Sequence, residues 1–111
     1  MTATAFASLH ALLVGAPGTR SSLHTDQWRG HFWMAQIQGT KRWTIFHPDD
    51  AWCLSPSWDA AAPRLEPIFP SLDEMEASPE RYPLLRLARR VDLTLRAGEV
   101  LLVPGGAPHR V

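Results

Sequence analysis

Short apolar or alternating stretches, separated by turns rich in glycine and proline, run along most of the chain. The clearest is 91–96, where apolar and polar residues alternate with the period of two that is typical of a half-buried β-strand. We expect 32–37 and 41–46 to form a hairpin, because Gly39-Thr40 between them has the composition of a tight turn. The remaining extended segments that the pattern predicts are 9–14, 21–26 and 100–103.

One short helix is predicted after residue 70. Ser71-Leu72-Asp73-Glu74 has the S-x-x-E spacing of a capping box, which marks a helix start. The stretch 51–70 holds four prolines and no periodicity, so it predicts an irregular loop, and 84–90 fits either a helical turn or a strand. Many short strands with a single helix predict an all-β barrel or sandwich rather than a βαβ fold. We assign 1–111 to one domain.

Composition narrows the classes of partner and compartment. The chain has 11 basic and 11 acidic residues, and the resulting net charge of zero argues against a nucleic-acid partner. Cys53 is the only cysteine, so no internal disulfide can form, which is compatible with a reducing compartment. No stretch approaches the roughly 18 apolar residues that cross a bilayer. We therefore expect no membrane association and a cytoplasmic (or nuclear) location.

A histidine and an aspartate two residues apart, with a second histidine far along the chain, carry the candidate chemistry. Residues two apart on a strand face the same way, so His24 and Asp26 project to one side. His109 follows a glycine- and proline-rich turn after the apolar stretch 100–103. Two imidazoles and one carboxylate make up the facial triad of non-haem iron(II) oxygenases. The same donors suit Mn, Co, Ni and Zn, so these residues alone leave the metal open.

The motifs around these residues resemble those of cupins. Gly18 and, after five intervening residues, His24 are similar to the opening of the first cupin motif, and 98–109 has the G-x5-P-x-G-x2-H pattern of the second. Asp26 stands where the common first motif has another histidine, as in iron(II)- and 2-oxoglutarate-dependent oxygenases. The chain most resembles the Jumonji-C, cupin-like hydroxylases of the factor-inhibiting-HIF type. The similar stretches are 19–26, 35–48 and 97–109.

This resemblance implies a fold, cofactors and residue roles. The fold would be a double-stranded β-helix, the jelly-roll barrel of cupins, and the enzyme a 2-oxoglutarate-dependent dioxygenase. His24, Asp26 and His109 would be the catalytic residues that bind Fe(II). Lys41 would hold the distal carboxylate of the co-substrate 2-oxoglutarate, and Ser21 would also contact it. The implied reaction uses O₂ to hydroxylate a protein or small-molecule substrate and releases succinate and CO₂.

Two other functions stay open from the sequence. His31 lies near the position where the usual cupin motif has a glutamate ligand, which favours a metal-dependent cupin enzyme without 2-oxoglutarate. A non-catalytic cupin module that only binds a partner is the second. A hydroxylase and a demethylase are not distinguished. Because the family pattern continues beyond the last histidine, we expect a barrel truncated at its C-terminus, whose open sheet edges favour association, for example as a homodimer.

Overall fold

Five strands and one helix form the framework of the protein, in a computed structural model that describes residues 11–61 and 64–111. The helix α1 spans Leu72–Ala77. The strands are β1 Phe32–Ala35, β2 Thr40–Phe46, β3 Arg90–Arg96, β4 Val100–Val103 and β5 His109–Arg110. Short 3₁₀ helices span Gln27–Arg29, Pro48–Leu54 and Leu85–Leu87. None of the helices in the described ranges is long and apolar enough to cross a membrane.

The strands pair antiparallel in two separate sheets. β1 pairs with β4, with Phe32 opposite Val103. The second sheet has the order β3-β2-β5, and Thr44 of its central strand lies opposite Asp92 on one side and Arg110 on the other. Antiparallel sheets with few helices agree with a cupin jelly-roll fold, so the predicted fold class is confirmed.

The predicted hairpin between 32–37 and 41–46 is wrong. β1 and β2 follow each other in the chain but lie in different sheets. Gly39, with a φ of 74°, lies in the connection between them. The physical reason is burial, because Phe32 and Met34 of β1 pack against the core around Trp43 of β2. Facing sheets bury such apolar sides against each other, whereas a hairpin would place the two strands side by side.

The predicted first strand, 9–14, is wrong over the residues that the structure describes. Residues 11–14 belong to no strand, and Leu12, Leu13 and Val14 are exposed. Residues 9 and 10 lie outside the described ranges. An apolar run makes a strand only where a pairing partner and a packed face are available, and neither is present here among the described residues. The loop predicted for 51–70 contains the end of a 3₁₀ helix and one β-bridge, between Ser57 and Ile68.

β2 packs against a different apolar cluster on each of its faces. Trp43 points between the two sheets, where it packs with Leu95, Val103 and Ala107. Phe46, three residues later, points to the opposite face. The cluster on that side consists of Leu23, Phe46, Leu54, Phe69, Leu72, Met75 and Tyr82. β2 is therefore the central strand in packing as well as in pairing.

Helix α1 begins where the capping box predicted. The Ser71 hydroxyl oxygen accepts a hydrogen bond from the backbone N–H of Glu74 at 3.1 Å, which pairs one of the amide groups that a helix start leaves without a partner. The Glu74 carboxylate accepts from the Tyr82 hydroxyl at 2.7 Å and from Arg81 at 3.1 Å. Leu72 and Met75 of the helix are buried in the cluster that contains Phe46.

An ion pair joins the 3₁₀ helix Pro48–Leu54 to the residue before β3. The carboxylate of Asp50 accepts hydrogen bonds from Arg89 Nε at 2.8 Å, Nη2 at 3.1 Å and the backbone N–H at 2.9 Å. These bonds, the side-chain bond first, lower the pKa of Asp50 from 3.8 to about 2. The pair therefore stays ionised over the whole physiological range of pH.

Replacing Asp50 with Asn should lower the melting temperature at pH 7 and change it much less at pH 2. Because the pKa of Asp50 is lower in the folded than in the unfolded chain, ionisation stabilises the fold above pH 4. That contribution is lost as the pH falls through about 2. Thermal unfolding followed by circular dichroism between pH 2 and 7 measures it. Asp49→Asn, at an exposed neighbour, is the control, and an equal pH-independent loss in both variants would contradict the account.

Candidate metal centre

Backbone hydrogen bonds bring together two histidines that are far apart in the sequence. The N–H of His24 donates to the carbonyl of His109 at 3.0 Å, and the N–H of His109 donates to the carbonyl of His24 at 2.9 Å. Residues paired directly in this way project their side chains to the same face of a sheet. The two imidazole rings accordingly lie 4.4 Å apart between centroids. The predicted extended segment 21–26 thus pairs with β5 at one point.

Asp26 completes a group of three donors. Its Oδ1 lies 3.7 Å from Nε2 of His24 and 4.0 Å from Nε2 of His109. Donor atoms from the three residues all lie within 4.8 Å of one another. Two donors at right angles on a metal, with bonds of about 2.1 Å, stand roughly 3 Å apart, so small side-chain rotations would close this group around an ion. The three predicted residues therefore lie in an arrangement that can hold a divalent metal.

Each imidazole is oriented by the backbone carbonyl two residues before it. Nδ1 of His24 lies 2.7 Å from the carbonyl oxygen of Ser22, and Nδ1 of His109 lies 2.9 Å from that of Ala107. A carbonyl oxygen only accepts, so each Nδ1 donates its hydrogen, and in the neutral ring Nε2 keeps a lone pair. Metal-binding histidines are commonly held this way. The sequence analysis did not predict these two hydrogen bonds, because a residue pattern does not show which backbone oxygen an imidazole contacts.

The three residues differ in their contact with solvent. The side chain of His109 is 4% exposed, whereas those of His24 and Asp26 are 40% and 42% exposed. Burial lowers the pKa of His109 below its ordinary value, and the neighbouring His24 acts in the same direction. His109 is therefore neutral at neutral pH, which is the form that binds a metal. The group is anchored in the core at His109 and open to solvent at His24 and Asp26.

The loop after Asp26 has a strained backbone. Trp28 and Arg29 have φ values of 58° and 51°, which residues other than glycine rarely adopt. Glu66 accepts a hydrogen bond from the N–H of Trp28 at 3.1 Å. On the other side, the carbonyl of Arg29 approaches Gly105 so closely that a Cβ there would stand 2.1 Å from its oxygen. Only glycine fits at position 105, and the surroundings hold the strained loop beside the three donors.

His31 does not join the donor group. Its Nδ1 accepts a hydrogen bond from the N–H of Gly105 at 2.8 Å, which fastens the loop to the turn before His109. Within the ranges that the structure describes, the group of potential metal donors contains His24, Asp26 and His109. The interpretation of His31 as a substitute for the cupin glutamate has no support in this geometry.

Lys41 faces the same interior as the donor group. Ile45 of β2 lies directly opposite His109, and Lys41, four residues earlier, points to the same side of the strand. Lys41 is half-buried and lies opposite the buried Leu95 of β3. Within 11–61 and 64–111, no carboxylate lies within 4.0 Å of its ammonium group. Lys41 therefore lies on the face of β2 that Ile45 shares with His109, and it has no counter-ion among these residues.

Ser21 aligns the two segments that carry the donors. Its hydroxyl oxygen accepts a hydrogen bond from the N–H of Val111 at 2.9 Å, and its own N–H donates to the carbonyl of Val111 at 2.9 Å. The observed contacts therefore hold the segment before His24 against the end of β5. The hydroxyl hydrogen can still be donated to a second acceptor, such as a carboxylate.

Aromatic rings surround His109 on its buried side. The ring of Phe32 lies 5.3 Å from that of His109, and the ring of Trp43 lies 5.8 Å from it, between centroids. The two aromatic side chains lie 6.4 Å apart and belong to opposite sheets. They exclude water from the deep side of the donor group, which strengthens electrostatic interactions there.

Antiparallel sheets around two histidines and one carboxylate define a cupin-type protein. The family model described as cupin-like domain matches residues 3–111, and the chain belongs to that family. The predicted resemblance to Jumonji-C-type, cupin-like proteins is confirmed by this match and by named relatives.

Three relatives illustrate the range of the family. The chain is 35% identical over 94 residues to HSPB1-associated protein 1 of Bos taurus. The aligned residues make up 84% of this chain and 19% of that protein. It is 34% identical over 98 residues to tRNA wybutosine-synthesizing protein 5 of Mus musculus, and the alignment covers 88% of this chain and 28% of that protein. It is 25% identical over 105 residues to 2-oxoglutarate and iron-dependent oxygenase JMJD4 of Gallus gallus, and the alignment covers 88% of this chain and 22% of that protein. The chain thus spans less than a third of each relative's length.

Replacing His24 with Ala should weaken the affinity of the chain for Zn(II) or Co(II) by roughly 100-fold or more. Loss of a residue that only orients a ligand costs 10- to 100-fold in many metal sites, so loss of a ligand should cost at least as much. Isothermal titration calorimetry measures the affinity. His47→Ala is the matched control, because His47 is also partly exposed but lies outside the donor group. Equal metal affinity of the His24 variant and the wild type would contradict the assignment of His24 as a metal ligand.

Proposed function

We propose that this chain carries the metal and co-substrate centre of an Fe(II)- and 2-oxoglutarate-dependent oxygenase. Its membership of the cupin-like family and its similarity to a relative named as an oxygenase of this kind support the proposal. The donor set supports it too, because two imidazoles and one carboxylate leave part of an octahedral ion's coordination shell for a co-substrate and O₂.

The residues of the proposed site fit a metal without large rearrangement. In both His24 and His109, Nδ1 is hydrogen-bonded to a backbone carbonyl, which leaves Nε2 for a metal. Oδ1 of Asp26 lies within 4.0 Å of both Nε2 atoms. The carboxylate balances one of the two charges of a divalent cation. A dianionic co-substrate beside Lys41 would balance the remaining positive charges, so the proposed complex contains no uncompensated buried charge.

The ammonium group of Lys41 is the observation on which the choice of co-substrate rests. It is half-buried on the face that carries the donor group, and the described residues supply no carboxylate within 4.0 Å. Its Cα lies four strand residues from that of Ile45, about 13 Å along β2. An extended lysine side chain and a five-carbon dicarboxylate together can bridge such a distance.

Each residue has a separate task in the proposed reaction. His24, Asp26 and His109 bind the ion, while Lys41 and Ser21 orient the dicarboxylate. Phe32 and other aromatic residues keep water from the buried side. When bound, Fe(II) with 2-oxoglutarate supplies the oxidising chemistry that consumes O₂, releases succinate and CO₂ and hydroxylates the substrate.

We propose a protein or a small molecule as the hydroxylated substrate. The net charge of zero does not supply the positive field that nucleic-acid binding ordinarily requires. One relative is named for synthesis of a modified tRNA nucleoside, so RNA is the substrate class against which this proposal has to be tested. The half-exposed side of the donor group, at His24 and Asp26, is where a substrate would approach.

Replacing Lys41 with Ala should weaken 2-oxoglutarate binding by roughly 10- to 100-fold, the usual effect of losing a hydrogen bond to a charged group. The Fe(II)-loaded chain is titrated with 2-oxoglutarate under anaerobic conditions, and the weak visible charge-transfer band of the chelate is followed. Fe(II) affinity should not change, because Lys41 is outside the donor group.

Two controls separate the outcomes of this titration. Arg42→Ala removes an exposed cation from the opposite face of the same strand and should leave the band unchanged. His109→Ala should abolish the band at every concentration of 2-oxoglutarate. An unchanged midpoint in the Lys41 variant would contradict the assigned role of Lys41, and no band in the folded wild-type chain would contradict the proposed function itself.

A further inference from the structure

Asp26 is held differently from the two imidazoles of the metal group. The rings of His24 and His109 are each oriented by a hydrogen bond to a backbone carbonyl. Asp26 precedes the 3₁₀ helix Gln27–Arg29, but its side chain makes no capping hydrogen bond to that helix. Its Oδ1 lies 3.7 Å from Nε2 of His24 and 4.0 Å from Nε2 of His109. The position of this carboxylate therefore depends on how the backbone around Asp26 is held.

Three contacts hold the strained loop after Asp26 against the turn before β5. The N–H of Gly105 donates a hydrogen bond to Nδ1 of His31 at 2.8 Å. The carbonyl of Arg29 approaches Gly105, and its guanidinium group approaches Gly106, so closely that a Cβ at these positions would stand 2.1 Å and 2.9 Å away. These two approaches are packing contacts, whereas the hydrogen bond has a direction and requires an acceptor at position 31. The hydrogen bond therefore fixes how the loop sits on the turn.

The strained loop needs contacts on both sides, because its conformation is costly. The φ values of Trp28 and Arg29 are positive, and strain of this kind persists only where the surroundings impose it. Glu66 holds one side by accepting a hydrogen bond from the N–H of Trp28 at 3.1 Å. His31 holds the other side, at the turn before β5. Without an acceptor at His31, the loop would relax on that side and carry Asp26 with it.

We infer that His31 is a positioning residue of the metal centre, which acts through Asp26. By accepting the hydrogen bond from Gly105, His31 ties the loop after Asp26 to the turn before His109 and so sets the distance between these two donors. His31 is not itself a member of the donor group. Residues that support a metal ligand in this way reduce the reorganisation that binding requires. This inference rests on the proposed function and adds a residue to its metal site.

The Zn(II) affinity of His31 variants, measured by isothermal titration calorimetry, tests this role without an assay of activity. His31→Leu removes the acceptor, and the affinity should fall by roughly 10- to 100-fold, the usual effect of losing a residue that supports a ligand. His31→Asn should restore most of the affinity, because its Oδ1, like Nδ1 of histidine, is attached to Cγ and accepts a hydrogen bond. His47→Leu is the matched control, because Nδ1 of His47 accepts from the N–H of Asp49 at 3.1 Å outside the donor group. It should leave the affinity unchanged.

A double-mutant cycle shows whether the effect of His31 passes through Asp26. If His31 only positions Asp26, then His31→Leu should change the Zn(II) affinity by less than about twofold in a chain that already carries Asp26→Ala. A general structural role of His31 in the turn before His109 would instead lower the affinity by the same factor in both backgrounds. That result would overturn the inference.

The same titrations separate failure of the inference from failure of the proposed function. If the wild-type chain binds Zn(II) and His31→Leu binds it equally well, or if His31→Asn binds it as weakly as His31→Leu, the inference is overturned while the proposed function stands. If the folded wild-type chain does not bind Zn(II), both are overturned.

Discussion

The pair of backbone hydrogen bonds between His24 and His109 is the constraint on which the candidate centre depends. It joins two distant parts of the chain in a single register and places both imidazoles on one face. β5 is paired in turn with β2, so the same register sets the face of Lys41 and Trp43. Side chains on a strand alternate with a period of two, and a slip by one residue would turn every one of these groups away from the others.

β2 transmits that constraint to the rest of the molecule. One of its faces belongs to the core that contains Trp43, and the other belongs to the core that contains Phe46 and α1. β2 is paired along its whole length with β3 and, at Thr44 and Ile45, with β5. Packing on both faces and pairing on both edges leave the part of β2 opposite His109 little freedom to move. The imidazoles of His24 and His109 are also oriented by carbonyl groups before any ion binds, which reduces the reorganisation that binding requires.

The sequence predicted the local features of this protein better than its connections. The H-x-D pair, the distant histidine and the capping residue Ser71 each depend on short-range spacing, and the structure has the expected arrangement at all three. The predicted hairpin between 32–37 and 41–46 was wrong, because the composition of a turn does not show which sheet the next strand joins. The carbonyls that orient the imidazoles depend on tertiary contacts, which no residue pattern encodes. Ser21 was singled out for a ligand contact, but its observed bonds are to Val111.

The most direct test of the central claim is the X-ray absorption spectrum of the Fe(II)-loaded chain at the iron edge. A centre built from His24, Asp26 and His109 should show six nitrogen or oxygen neighbours at about 2.1 Å, with the outer-shell scattering of two imidazole rings. One of the two imidazole contributions should disappear in His24→Ala, and it should remain in His47→Ala. A wild-type spectrum without imidazole scattering, or one that the loss of His24 leaves unchanged, would contradict the assignment of these three residues to a metal.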